Sequence, residues 1–112
     1  MTWNNVTTAT VTMSSNNGYL ANYNGTCVLT LPTTSAIGDV IQVIGVYNKS
    51  GFTWQIAQNA GQGIVSLGSS TTVGTTGYVE GQTKSMITLV CSVANTTWTI
   101  EGVDVLSNYQ FN

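Results

Sequence analysis

Few groups in this chain could do chemistry. Its 112 residues contain no histidine and no arginine; the charged side chains are Asp39, Glu80, Glu101, Asp104, Lys49 and Lys84, and there are two thiols, Cys27 and Cys91. Without imidazole, general acid–base work would fall to carboxylates. A glycosidase would need two of them about 5 to 9 Å apart in a cleft. Asp39 follows Gly38, and Asp104 follows Gly102-Val103, so both read as turn residues, and Glu80 and Glu101 are the only Glu pair. Serine and threonine are plentiful but have no base beside them. Gly61-Gln62-Gly63 lacks the glycine spacing of a phosphate loop. Calcium would require several carboxylates close in sequence, and two cysteines without histidine cannot build a zinc site. The expectation is a protein with no catalytic residues, no metal and no cofactor, and therefore not an enzyme.

Binding is better represented. Tyr23 stands between Asn22 and Asn24, and Tyr47 beside Asn48, all in turn-like stretches. An aromatic face flanked by amides suits a sugar: the ring stacks on the apolar face of the pyranose and the amides meet its hydroxyls. Asn22, Tyr23, Asn24, Tyr47 and Asn48 are therefore the candidate ligand-binding residues. The competing reading is that these tyrosines cap a β-sandwich. Trp54 and Trp98 fall within strand patterns and read as core; Trp3 stays open. The sequons at Asn5, Asn24, Asn48 and Asn95 matter only in a secretory pathway.

Composition narrows the partners. Net charge is −2 and charged residues make up 5% of the chain, so surface polarity must come from Thr, Asn, Ser, Gln and Gly. Such a surface suits a protein in salt, among sugars or inside an assembly. Two separated lysines cannot form the cationic stripe that phosphates require, so no nucleic acid is expected. No apolar run approaches about 18 residues, so no membrane insertion is expected. Met1 is followed by Thr-Trp-Asn-Asn, which is not a signal-peptide pattern. Cys27 and Cys91 read as two buried thiols, with a disulfide closing a long loop left open as the alternative.

The elements that would position these residues are strands. Ile87, Leu89, Cys91 and Val93 alternate, Asn95-Thr96-Thr97 supplies a turn tolerant of left-handed angles, and Trp98 and Ile100 return, so residues 85–102 predict a hairpin. Residues 3–13 read as one β-branched strand, 18–21 as a short one, and 26–31 as a strand stopped by Pro32. Residues 39–47 are apolar on both faces, with Ile41, Val43, Gly45 and Tyr47 on one and Val40, Ile44 and Val46 with Gln42 on the other. That predicts a central strand or a subunit contact. Residues 52–58 return after Asn48-Lys49-Ser50-Gly51, and 41–56 echo 87–100, which suggests two equivalent hairpins facing across a core. Residues 64–67 predict a short strand, 68–77 a polar loop, and 78–80 an edge strand. No period of about 20 to 50 residues runs through the chain, so no solenoid is expected. The fold predicted is all-β, an antiparallel β-sandwich, jelly-roll-like or barrel-like, of about 8 to 10 short strands. It is read as one domain over 1–112, with 103–112 supplying a last strand and tail.

Sheet edges are normally blunted by charge, and this chain has little. Edges and the second apolar face of 39–47 would be covered if identical chains packed together, so a homo-oligomer is expected. The pieces Asn16-Asn17-Gly18-Tyr19, Leu29-Thr30-Leu31-Pro32, Ile37-Gly38-Asp39, Ile44-Gly45, the run from Trp54 to Gln62 and the run from Leu89 to Trp98 occur in this order. So arranged, the chain from about Val11 to Gly102 resembles modules of bacteriophage tail-fibre and receptor-binding proteins, and is similar to β-rich repeats of related bacterial surface proteins. The resemblance implies a homotrimer on a virion appendage, at the extracellular side of the host, used in attachment to a cell-surface carbohydrate. It carries over no catalytic residue. The alternatives are a structural trimerisation or spacer module of a fibre, and a secreted bacterial lectin or adhesin domain.

Overall fold

The structure, a computed structural model, describes residues 1–66, 68–103 and 109–112. It is an all-β sandwich of two open, mixed sheets. The larger sheet runs β1 (Thr2–Val6), β3 (Asn17–Ala21), β5 (Val40–Gly45), β10 (Met86–Val93), β11 (Thr97–Val103), β7 (Gly63–Ser66) and β8 (Ser69–Ser70). The smaller runs β12 (Gln110–Phe111), β9 (Tyr78–Gln82), β6 (Thr53–Ala57), β4 (Cys27–Thr30) and β2 (Thr10–Thr12).

Alternation places the core between the sheets, because successive side chains of a strand point to opposite faces. Ile41 and Val43 of β5, Ile87, Leu89 and Cys91 of β10, and Trp98 of β11 face Cys27 and Leu29 of β4, Trp54 and Ile56 of β6, and Val79 of β9, all buried. The two core tryptophans are held differently. Trp54 donates its indole N–H to the Gln82 carbonyl at 3.0 Å, and its ring lies where a side chain on Gly45 or Gly81 would collide with it. Trp98 is equally buried, but its Nε1 has no hydrogen-bond partner among the described residues.

The connections depart from the hairpin expectation. From β1 to β6 the chain alternates between sheets, odd strands in the larger and even strands in the smaller. β1 lies parallel to β3 and β3 to β5, while β2 lies parallel to β4 and β4 to β6. Parallel neighbours need a crossover, and here the crossover is a strand of the opposite sheet rather than a helix. The N-terminal half is thus a short, solenoid-like winding, which the sequence did not predict. Its turns are unequal: Thr2 pairs with Asn17 and Asn17 with Ile41, while Thr10 pairs with Val28 and Val28 with Gln55. Unequal turns leave no repeat period to detect.

The same winding splits the single strand expected over 3–13. Residues 7–9 carry the chain from one sheet to the other. It also separates the two echoing segments. β10 and β11 form the predicted hairpin, with Asn95 at φ 65° in its turn, whereas β5 and β6 belong to opposite sheets. β5 is central, as expected, between β3 and β10. Strand β9 is interior rather than at an edge, because Gln110 and Phe111 of the expected tail pair with Glu80 and Val79. Val103 ends β11; the last strand expected to continue from it through Asp104, Val105 and Leu106 lies outside the described residues. Three of the four sheet edges are strands of two or three residues, β8, β12 and β2, so these edges are blunted by brevity instead of charge.

Candidate functional site

The winding sorts the loops to two ends. At one end lie residues 7–9, 22–26, 46–52 and 83–85; at the other lie 13–16, 31–39, 58–62, 71–77 and 94–96. The sequence-predicted residues Asn22, Tyr23, Asn24, Tyr47 and Asn48 do converge, since the β3–β4 and β5–β6 crossovers are neighbours.

Their chemistry, however, is largely committed. Tyr23 and Tyr47 are half-buried against the core, and Tyr47 stacks on Phe52 with ring centres 5.6 Å apart and tilted by 47°. The Tyr23 ring lies beside Gly25, which adopts φ 149°. Asn22 donates from Nδ2 to Asn5 Oδ1 at 3.0 Å, and Asn24 Oδ1 accepts from Lys49 Nζ at 3.1 Å. Asn48 is exposed. Two clefts open beside them, one of about 140 Å³ between Gly25-Thr26 and residues 49–53, the other of about 270 Å³ between residues 51–53 and Gln82-Thr83. Neither is lined by a tyrosine. Both lysines of the chain lie at this end.

The opposite end holds a larger groove of about 500 Å³, between residues 12–15 on one side and residues 32–36, Asp39 and Asn95 on the other. Met13 and Pro32 line it but are buried, Ala36 is an exposed apolar residue of the lining, and hydroxyls form the rim. Ser14, Thr33 and Thr34 are exposed, and no hydrogen bond among the described residues engages their hydroxyls. The Asp39 carboxylate caps its own loop: Oδ2 accepts the Ala36 amide at 2.9 Å, and Oδ1 accepts Asn16 Nδ2 at 3.4 Å. The Ala36 amide foremost, then the nearby Ser15 hydroxyl and the Asn16 amide, hold this carboxyl below the usual carboxylate range, against a small opposing effect of burial. Ser15 acts here by proximity, because its Oγ is buried without a partner in hydrogen-bond geometry.

The groove walls are tied together. Ser35 donates its amide to Asn95 Oδ1 at 2.8 Å, and Asn95 returns its amide to Ser35 Oγ at 3.0 Å. Asn16, at φ 64°, accepts the Val40 amide at 3.1 Å and so fixes the start of β5 beside Asp39. Behind the wall, the buried Gln62 donates to the Pro32 carbonyl at 2.8 Å and the Asn95 carbonyl at 3.3 Å, while its Oε1 accepts the Asn59 amide at 2.9 Å. The buried Gln58 extends this to the Thr72 and Gly74 carbonyls, and its Oε1 accepts the Thr71 hydroxyl.

Sequence reasoning missed this groove. In sequence its walls read as loops, apart from residues 12 and 13 at the end of a predicted strand, and Asp39 and Asn95 read as turn residues, which they also are. What brings them together is a contact between residues sixty apart in the chain. The remaining carboxylates stand apart: Glu80 is in the smaller sheet, accepting Gln55 Nε2 at 3.2 Å, and Glu101 is exposed in the larger. Asp104 lies outside the described residues. Cys27 and Cys91 are free and buried, and burial pushes the Cys27 thiol up. Among the described residues no helix is long and apolar enough to cross a membrane, and no group of three or more metal-ligating side chains occurs. No family model matches the chain, and no curated protein matches it in sequence.

Proposed function

We propose that this chain is a non-catalytic attachment module of the phage tail-fibre type, a homotrimer on a virion appendage that recognises a glycan on the host surface. The observation that carries the reading is the chemistry of the loop ends. They present mostly amides and hydroxyls, with Lys49 and Lys84 at one end and Asp39 at the other, and the larger groove combines hydroxyls with apolar surface. That is the surface a sugar matches, with its own hydroxyls and its apolar ring face. The placement of Glu80 and Glu101 in separate sheets supports the non-catalytic part.

Assembly is supported by the outer face of the larger sheet. β1, β3, β5 and β10 contain no charged residue. Trp3 lies over Gly18 and is 44% exposed, Met86 is 41% exposed, and Leu20 and Ile44 are half-buried in the same row as Met86. Such a face, placed outside the core, is suited to contact with a second copy; the number three comes from the family resemblance. One observation favours a spacer without a ligand instead: the tyrosine rings at the other end are spent on packing.

A glycan array decides between the two, since silence across a broad panel favours the spacer. Sedimentation tests the assembly. A trimer is expected at micromolar concentration, and Ile44→Lys combined with Met86→Glu should yield monomer. A wild-type chain that sediments only as monomer removes the trimer from the reading.

A further inference from the structure

We infer that the groove between residues 12–15 and residues 32–39 is the sugar subsite, that it takes a neutral pyranose, and that Asp39 accepts hydrogen bonds from two adjacent ring hydroxyls. The inference rests on the attachment reading for its biological sense but not for its chemistry. A carboxylate is an acceptor-only group with about four lone-pair directions. Asp39 uses one oxygen on the Ala36 amide at 2.9 Å and the other on a long contact from Asn16 at 3.4 Å, with the Ser15 hydroxyl nearby but outside hydrogen-bond geometry, so acceptor capacity remains. Hydrogen bonds to an ionised acceptor are among the stronger ones, and the loop amide that holds Asp39 ionised keeps it an acceptor across the physiological range.

The rest of the groove fits the same ligand. Unengaged hydroxyls of Ser14, Thr33 and Thr34 can donate or accept, and the exposed Ala36 offers apolar contact. Ser15 adds a buried hydroxyl with no partner. Lys49 and Lys84 are at the far end of the sandwich, so no lysine lines the groove to balance a uronate, a sialic acid or a phosphate beside Asp39. The reciprocal Ser35–Asn95 clasp holds the walls in place before a ligand arrives, which limits the ordering cost of binding.

The test is an NMR titration of the labelled full chain with neutral methyl hexopyranosides, and with methyl glucuronide as the anionic probe. Amide shifts are expected at Ser14, Ser35 and Ala36 and not at Tyr23 or Tyr47. Asp39→Asn keeps an oxygen for the Ala36 amide but loses the charge, and should weaken binding by about tenfold. Thr34→Trp, at an exposed rim position, should fill the groove and abolish the shifts, and the glucuronide should bind more weakly than the neutral sugars. The inference is overturned if no neutral hexoside moves these amides at high millimolar concentration, if the glucuronide binds as well, or if both variants bind like the parent. The glycan array separates this from the attachment reading. Array binding that survives Asp39→Asn and Thr34→Trp sinks the groove and leaves attachment standing. A silent array with groove shifts intact does the reverse.

Discussion

The two ends of the sandwich are made from similar loop compositions and closed by different chemistry. At one end Tyr23, Tyr47 and Phe52 lay rings across the core, and the amides of Asn22 and Asn24 are tied to Asn5 and Lys49. At the other, closure is left to the amides of Gln58, Gln62 and Asn59, which reach loop carbonyls from inside. A ring that seals a core has its faces occupied and little left to offer a ligand. An amide buried behind a wall does its sealing from within, so the hydroxyls on the outer side of that wall stay free. The aromatic end is therefore the structural cap, and the amide-closed end is where a polar ligand finds unengaged groups.

The largest effect should come from removing the amide closure. Gln62→Leu keeps the volume and strips the hydrogen bonds to Asn59, Pro32 and Asn95. It leaves the buried Pro32 carbonyl and the part-buried Asn59 amide and Asn95 carbonyl without these partners, and should cost about 2 kcal/mol, read as a lower urea midpoint at unchanged slope. If the midpoint barely moves, the amides are not what closes that end. Of similar size is Tyr47→Ala, which removes a half-buried ring from Phe52 and should cost about 2 kcal/mol. Hexoside shifts at the groove should be unchanged in this variant; a loss of binding there would return the site to the tyrosine end.

Much of this contrast was written in local patterns, and some was not. The alternation of Ile41 with Val43, of Trp54 with Ile56, and of Ile87 with Leu89 gave strands and core, because a period of two has one structural meaning. Asn95 in the left-handed region was legible from residue type alone. That Tyr23 and Tyr47 cap the sandwich was one of the two readings open at those positions, and their packing against the core follows it. Apart from the β10–β11 hairpin, sheet partners were not legible. Asn48-Lys49-Ser50-Gly51 reads as a hairpin turn, yet a crossover between facing sheets accepts the same polar, glycine-containing residues. With that sorting unknown, nothing local could bring Ser14, Thr34, Asp39 and Asn95 to one groove.

A smaller effect sharpens the contrast from the groove side. Asn95→Gly preserves the left-handed turn, since glycine adopts positive φ freely, and removes the side chain together with the hydrogen bond its oxygen receives from the Ser35 amide. The expected loss is about 1 kcal/mol. Hydrogen exchange at Ser35 should quicken while the amides at Tyr23 and Tyr47 keep their protection. Equal loosening at both ends would mean that the ends are one cooperative unit and that their different closures do not matter separately.

The smallest effect is electrostatic and belongs to one residue. Asp39 is half-buried at the groove wall with its carboxylate open to water, and that carboxyl is held below the ordinary range chiefly by the Ala36 amide. A depressed folded-state value means that the charged form is favoured by folding. The stabilisation is then present above the unfolded carboxyl value of about 3.9 and disappears as pH falls through the lower folded value. Asp39→Asn should therefore narrow the stability difference between neutral and strongly acidic solution, and only slightly, because the group is solvent-screened. Following the Asp39 side-chain carbon by NMR should give a midpoint below that of the free side chain. A midpoint at or above it would mean that the Ala36 amide does not hold the carboxylate, and the groove would lose the fixed acceptor that distinguishes its end of the molecule from the other.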